Sequence, residues 1–169
     1  VVRLIARDDP SQTSAAEVAG LDEVGVESKV VESATGRASV LARWGNQNSS
    51  RPGLVIHGHL DVVPAQSADW SVDPFAAEIV DDYIVGRGAV DMKDMDAMIL
   101  TVVQQWQLHG IRPRRDIVLL FLPDEEAGGK HGAHWVVDNR PDVLQDVTEG
   151  IGEVGGFSFE LANHKRIYM

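Results

Sequence analysis

The chain has 169 residues, 44% hydrophobic and 24% charged, the balance of a globular domain large enough to bury a core. Its 26 Asp and Glu against 15 Lys and Arg leave a formal charge of −11, which argues against nucleic acid because phosphate contacts need a basic surface. With no cysteine, disulfide frameworks and thiolate metal sites are excluded, a cytoplasmic setting is expected, and any metal must be held by His, Asp and Glu; no apolar run approaches the roughly 20 residues that span a membrane.

Taken in order, Asp8 to Ala19 is polar with a turn signal at Asp9-Pro10-Ser11, and a short helix is expected around Thr13 to Leu21. Ala38 to Trp44 reads as a strand ended by the polar loop Gly45 to Gly53. Leu54-Val55-Ile56 is a short, continuously apolar strand of the kind buried on both faces. Glu78-Ile79-Val80 and Tyr83-Ile84-Val85, split by Asp81-Asp82, read as a β-hairpin. From Met92 to His109, Met95, Met98, Ile99, Val102, Val103 and Trp106 recur at helical spacing, and Gly110 and Pro113 mark the end. Ile117 to Leu122 reads as a central strand, and His131 to Val137 as a second helix. The order strand, strand, hairpin, helix, strand, helix, strand predicts an α/β three-layer sandwich with a mixed, mostly parallel sheet. Ligands in such sheets gather beyond the carboxyl ends of strands. His59 and Asp61 follow one strand and Asp124 to Glu126 another, so the two clusters are expected to share one edge.

Imidazole and carboxylate are the donors that divalent metals of borderline hardness take. In extended His59-Leu60-Asp61, alternate side chains share a face, and a metal-bound imidazole usually passes its other N–H to a carboxylate, a role for which the Asp61 side chain is expected to be placed. A buried structural histidine beside a turn aspartate is the plainer reading of that tripeptide alone. Asp91, between Gly86-Arg87-Gly88-Ala89-Val90 and the helix, suits either a helix cap or a carboxylate bridging two cations, with Lys93 and Asp94 as local charge partners. Adjacent Glu125 and Glu126 repel unless a cation or proton intervenes; one can bind metal while the other accepts a proton from water. Glu149 and Glu153 are candidate ligands or surface residues of a glycine-rich loop. His57 is read as a packing residue facing away from His59, with lining of the site the lesser alternative, His131 and His134 as surface or packing residues, and His109 as a partner of the helix dipole. Nucleophile elbows, phosphate loops and an H-E-x-x-H zinc helix are absent.

Together these stretches resemble the two-zinc metallopeptidase family of aminoacylases, acetylornithine deacetylases, succinyl-diaminopimelate desuccinylases and dipeptidases. The resemblance is carried by Val55-Ile56-His57-Gly58-His59-Leu60-Asp61-Val62-Val63-Pro64, Trp70-Ser71-Val72-Asp73-Pro74-Phe75, Gly86-Arg87-Gly88-Ala89-Val90-Asp91-Met92-Lys93, Pro123-Asp124-Glu125-Glu126-Ala127-Gly128-Gly129 and Glu153-Val154-Gly155-Gly156-Phe157-Ser158. It implies a zinc-peptidase-like catalytic domain that cleaves an amide bond in a dipeptide or N-acyl amino acid by a metal-activated water. At matching positions it implies His59 and Glu153 as ligands of one zinc, Asp91 as the bridging carboxylate and Glu126 as a ligand of the second. Asp61 becomes the residue orienting His59 and Glu125 the general base, with Glu149 the rival of Glu153. Cobalt or manganese could replace zinc.

Two departures qualify the resemblance. Asp94 stands where the family usually has glycine. Family members are also longer, with an inserted lid or dimerisation domain and a further ligand histidine near the C-terminus, whereas His164 has no family text around it. The expectation is therefore a single, partial catalytic domain over 1–169 without its lid, holding one metal reasonably and the second poorly and hydrolysing little by itself, with any homodimer formed through the missing domain. Neither a membrane nor a nucleic-acid partner is expected. The competing readings are a non-catalytic metal-binding relative and a two-metal phosphoesterase, the latter short of basic residues beyond Arg87 and Lys93.

Overall fold

Asp116–Leu122 is buried at every position, which a strand achieves only when both faces of its sheet are covered. The computed structural model, which describes residues 19–45, 49–153, 157–161 and 164–168, builds the molecule around that strand. In chain order the elements are β1 (Ser28–Ala34), β2 (Arg37–Gly45), β3 (Gly53–His59), the hairpin β4 (Glu78–Val80) and β5 (Tyr83–Val85), α1 (Lys93–Leu108), β6 (Asp116–Leu122), α2 (Ala133–Asn139), β7 (Val147–Ile151), and the hairpin β8 (Phe157–Leu161) and β9 (His164–Tyr168). The expected helix at Thr13 to Leu21 falls largely outside the described residues; 19–22 are helical.

The main sheet has the order β1-β2-β6-β3-β7. Alternation along β2 and β6 divides the core into two layers. Val40, Ala42 and Trp44 of β2 and Ile117, Leu119 and Phe121 of β6 pack with Ile99, Leu100 and Val103 of α1. Leu41, Val118, Leu120 and Leu122 face the other way, against Val136 of α2. Each fully buried aliphatic or aromatic side chain contributes about 1.5–3 kcal/mol by leaving water, so β6 anchors both layers. The three-layer α/β sandwich is the expected one.

The sheet is mixed, but parallel pairing is confined to one half. β6–β3 and β3–β7 are parallel, whereas β1–β2 and β2–β6 are antiparallel. The difference from a mostly parallel sheet comes from β1, which joins β2 through a tight turn pairing Ala34 with Arg37. Gly36 sits in that turn at φ +70°, a conformation glycine adopts without steric cost.

Helix α1 covers the predicted span, and its apolar stripe faces the core through Met95, Ile99 and Val103 but not through Met98 and Val102. Ile99, Leu100 and Val103 are buried, while Met98 and Val102 lie exposed; Trp106 stacks obliquely on Trp44 at 5.8 Å. Asp94 and Asp96 lie in its first turn, where carboxylates suit the helix dipole. At the far end His109 Nδ1 lies 2.7 Å from the Gln105 carbonyl, and Gly110 turns the chain at φ +65°. Among the described residues no helix is long and apolar enough to cross a membrane.

Candidate metal centre

Parallel pairing carries the site residues to one edge. Register pairs His59 with Leu122 at the carboxyl ends of β3 and β6, and Ile56 with Ile151 near the end of β7. The segments that follow bear Asp61, Glu125, Glu126 and Glu153. The loop after the β4–β5 hairpin delivers Asp91 to the same edge, and no side chain caps α1 through a hydrogen bond at Met92. The Asp91 carboxylate is instead directed at His59, which answers the alternative of a helix cap.

His59 is 2% exposed and stands at the centre of the cluster. Its Nε2 lies 2.8 Å from Asp91 Oδ1, 3.6 Å from Glu153 Oε2 and 3.9 Å from Glu125 Oε2. Its Nδ1 lies 2.9 Å from the Asp61 backbone carbonyl and 3.6 Å from Asp61 Oδ1. Nδ1–H therefore donates chiefly to the main chain, and Nε2 is the nitrogen turned to the carboxylates. The Asp61 carboxylate makes its shorter contacts elsewhere: Oδ1 accepts the Glu125 N–H and Oδ2 the Glu126 N–H, each at 3.0 Å. Both glutamates belong to a single 3₁₀ turn, Glu125–Ala127, entered through Asp124 in the left-handed region at φ 74°.

Electrostatics reflect this crowding. Burial disfavours a charged His59, but contacts with Asp61 and Asp91 override it and raise the imidazole to about 9. Glu126 and Glu153 are held above the ordinary carboxylate range, first by desolvation and then by the charge of Asp91. Asp61 is lowered: burial opposes its charge, but the neighbouring His59 ring and the two backbone amides that donate to it outweigh desolvation. A divalent cation among these groups relieves the repulsion that raises the glutamates.

The donor set fits such a cation. Ligand atoms of His59, Asp91 and Glu153 lie within 4.8 Å of one another. Around one zinc, bonds of about 2.0–2.1 Å place donors no more than about 4.2 Å apart, so a small closure of exposed carboxylates suffices. Glu126 stands outside this group but within electrostatic reach of Asp91. Glu149 is held elsewhere: its carboxylate pairs with Arg115, and its register opposite Leu54 places it toward the amino end of β3.

A cavity of about 320 Å³ opens beside the cluster, with His57, Glu125, Glu153, Met92 and Leu122 in its wall. His57 is thus a lining residue, contrary to the expectation that it faces away. Residues two apart in a strand share a face, and that period was the signal available for it. Gly152 approaches this ring so closely that a Cβ there would lie 2.3 Å from His57 Nε2. Lys93 also differs from expectation, because its charge partner is Asp96 at 3.4 Å rather than Asp94. His131 and His134 fall outside the cluster; the His131 backbone N–H donates to Asp124.

The mixed sheet thus gathers imidazole and carboxylate donors at the carboxyl edge of its parallel strands. Residues 55–161 match the family model described as Peptidase family M20/M25/M40, which is more than half of the chain, and the chain belongs to that family. It is 35% identical to aminoacylase-1 of Sus scrofa over 138 residues, covering 79% of this chain and 34% of that protein. Its fold matches human carnosine dipeptidase 1 with a TM-score of 0.75 at 22% identity, over 88% of this chain and 33% of that one. An M20 family metallo-carboxypeptidase from Sulfolobus solfataricus matches with a TM-score of 0.72 at 25% identity, over 86% and 32%. The chain thus spans about a third of the length of these relatives.

Proposed function

We propose that the chain carries the metal-binding part of an enzyme that hydrolyses the amide bond of a dipeptide or an N-acyl amino acid. The observation that carries this reading is the convergence of His59, Asp91 and Glu153 donor atoms within 4.8 Å, with Glu125 beside them. Family membership and the likeness to an aminoacylase support the substrate class.

In this reading His59, Asp91 and Glu153 hold one cation, with zinc the expected metal and cobalt or manganese able to replace it. Asp91 and Glu126 would hold a second cation. Among the described residues only the first set forms a group of three donors, so the second cation is held more weakly. When bound, the metal supplies Lewis-acid chemistry, polarising the scissile carbonyl and acidifying water. Glu125, exposed on the cavity wall, accepts a proton from the attacking water and returns it to the leaving nitrogen. Asp61 is a positioning residue: it fixes the Glu125 backbone and, through its carbonyl, the imidazole tautomer. A phosphoesterase is less well supported, because Lys93 is buried against carbonyls and Arg87 lies over Trp70 at 5.4 Å.

The test is Co²⁺ titration of the chain together with assays against N-acyl amino acids and dipeptides. In Glu125→Gln, turnover is expected to fall by about 10²–10⁴-fold, the usual worth of a general base, with Co²⁺ affinity little changed. Equal turnover by the variant would remove Glu125 from the reaction.

A further inference from the structure

We propose that the buried Lys93–Asp96 pair is a positioning unit that holds His59 in the orientation that receives a divalent cation, an inference that rests on the metal-centre reading above. Lys93 is 6% exposed and Asp96 0%, an unusual depth for two charges. An ammonium has three donors and no acceptor. Lys93 Nζ has three acceptors within reach: the Leu60 carbonyl at 2.8 Å, the His59 carbonyl at 3.4 Å and Asp96 Oδ2 at 3.4 Å. Its charge is thus placed on the carbonyls of His59, the last residue of β3, and of Leu60, which follows it.

The neighbours of Lys93 complete the grip. The His59 backbone N–H donates to Met92 Sδ at 3.1 Å, while Asp91 Oδ1 meets the ring at 2.8 Å. Asp91, Met92 and Lys93, the last of which opens α1, therefore hold the ring, the amide and the carbonyl of one histidine. Asp96, one helical turn on, supplies the negative charge that lets Lys93 stay buried. It reaches that place through a gap in β3, since a Cβ on Gly58 would lie 2.1 Å from Asp96 Oδ1. The other acceptor capacity of Asp96 is unused, as Oδ1 has no hydrogen-bond partner.

Buried ion pairs with unfilled acceptors are poor sources of stability, and apolar replacements of similar volume often match them. A purely structural role leaves the pair unexplained. A geometric role accounts for it, because metal-ligating histidines depend on the groups behind them for orientation.

The experiment is Co²⁺ binding to the full chain, followed through the visible d–d band, with thermal unfolding of each metal-free protein as the control on folding. Lys93→Met/Asp96→Leu removes both charges together and keeps the interior neutral. Asp96→Asn preserves volume and leaves Lys93 without its counter-charge. The double variant is expected to bind Co²⁺ about 10–100-fold more weakly, the range for groups supporting a ligand, with an altered band. Asp96→Asn is expected to change both in the same direction. A folded double variant with the affinity and band of the original chain overturns the proposal; if that variant fails to fold, the same result in Asp96→Asn does so. Absence of Co²⁺ binding by the unsubstituted chain overturns the metal-centre reading and the proposal with it, whereas normal binding by both unsubstituted and variant chains overturns the proposal alone.

Discussion

Asp61 Oδ1 accepts the backbone N–H of Glu125 at 3.0 Å, across 64 residues of sequence. That bond ties the loop after β3 to the turn after β6, and its twin to Glu126 fixes the turn at a second point. The Asp61 carbonyl meanwhile faces His59 Nδ1. One residue thus sets the spacing between the imidazole and the proposed base.

Asp61→Asn is therefore expected to disturb function far more than folding. An asparagine amide turns an N–H toward a backbone donor, so one of the two contacts is lost. Stability should fall by about 1 kcal/mol, the net worth of a hydrogen bond, because the glutamate amides lie where water reaches them. Co²⁺ affinity should fall by about 10-fold or more. Urea unfolding and Co²⁺ titration on the same preparation check the separation; a large stability loss with unchanged affinity would reverse the assignment.

Glu153 and Glu149 are expected to behave differently on neutralisation. Glu153→Gln removes a donor 3.6 Å from His59 Nε2 and should weaken Co²⁺ binding by at least about 10-fold, comparable to losing a supporting group. Glu149→Gln breaks only the contact with Arg115, an exposed pair worth about 0–1 kcal/mol, and should leave binding unaltered. Isothermal titration of the two variants decides between them.

Gly58→Ala is expected to destabilise the fold by about 1–3 kcal/mol, as overpacking does. The new Cβ meets Asp96 Oδ1 at 2.1 Å and the Met92 methyl at 3.2 Å. Combining it with Asp96→Ala should recover part of the loss, since residues in contact are not additive. Denaturant unfolding of the two single variants and the double variant measures the coupling, and strict additivity would mean that the gap at Gly58 is not reserved for Asp96.

Metal capture should release protons near neutral pH. Although burial opposes its charge, Asp61 and Asp91 hold metal-free His59 at about 9, above the ordinary imidazole value of about 6.5. The stabilisation from its protonated form is thus fully present below about 6.5 and is lost as pH rises through about 9. A cation needs the neutral ring, so apparent affinity should climb as pH approaches 9. Titration calorimetry at pH 7 in PIPES and in Tris should differ by the ionisation heat of close to one proton, the one His59 gives up. Heats independent of buffer would contradict a protonated His59 in the metal-free chain.

Much of this was legible in the chain itself because the signals are local. The apolar run of β6, the β4–β5 hairpin around Asp81-Asp82, and the span of α1 with its Gly110 stop each follow from short-range pattern. So does the placing of His59, Asp91, Glu125 and Glu153 at element ends, because carboxyl edges are where short strands give way to polar loops. β1 escaped detection, and the strand expected after the second helix (β7) could be given no bounds, for the opposite reason. Both are edge strands with no fully buried residue, and their identity comes from pairing with β2 and β3 rather than from any period of their own.

Tertiary structure alone decided the connections between distant groups. It turned the Asp61 carboxylate to the amides of Glu125 and Glu126, separated Glu149 from Glu153 by strand register, and sank Lys93 with Asp96 behind His59. Sequence determines which chemistry is available and which segments take up strand or helix, since those depend on neighbouring residues. Which charge meets which, and how deeply it is buried, depends on β3, β6 and α1 docking together, and that is settled only when the whole core closes around them.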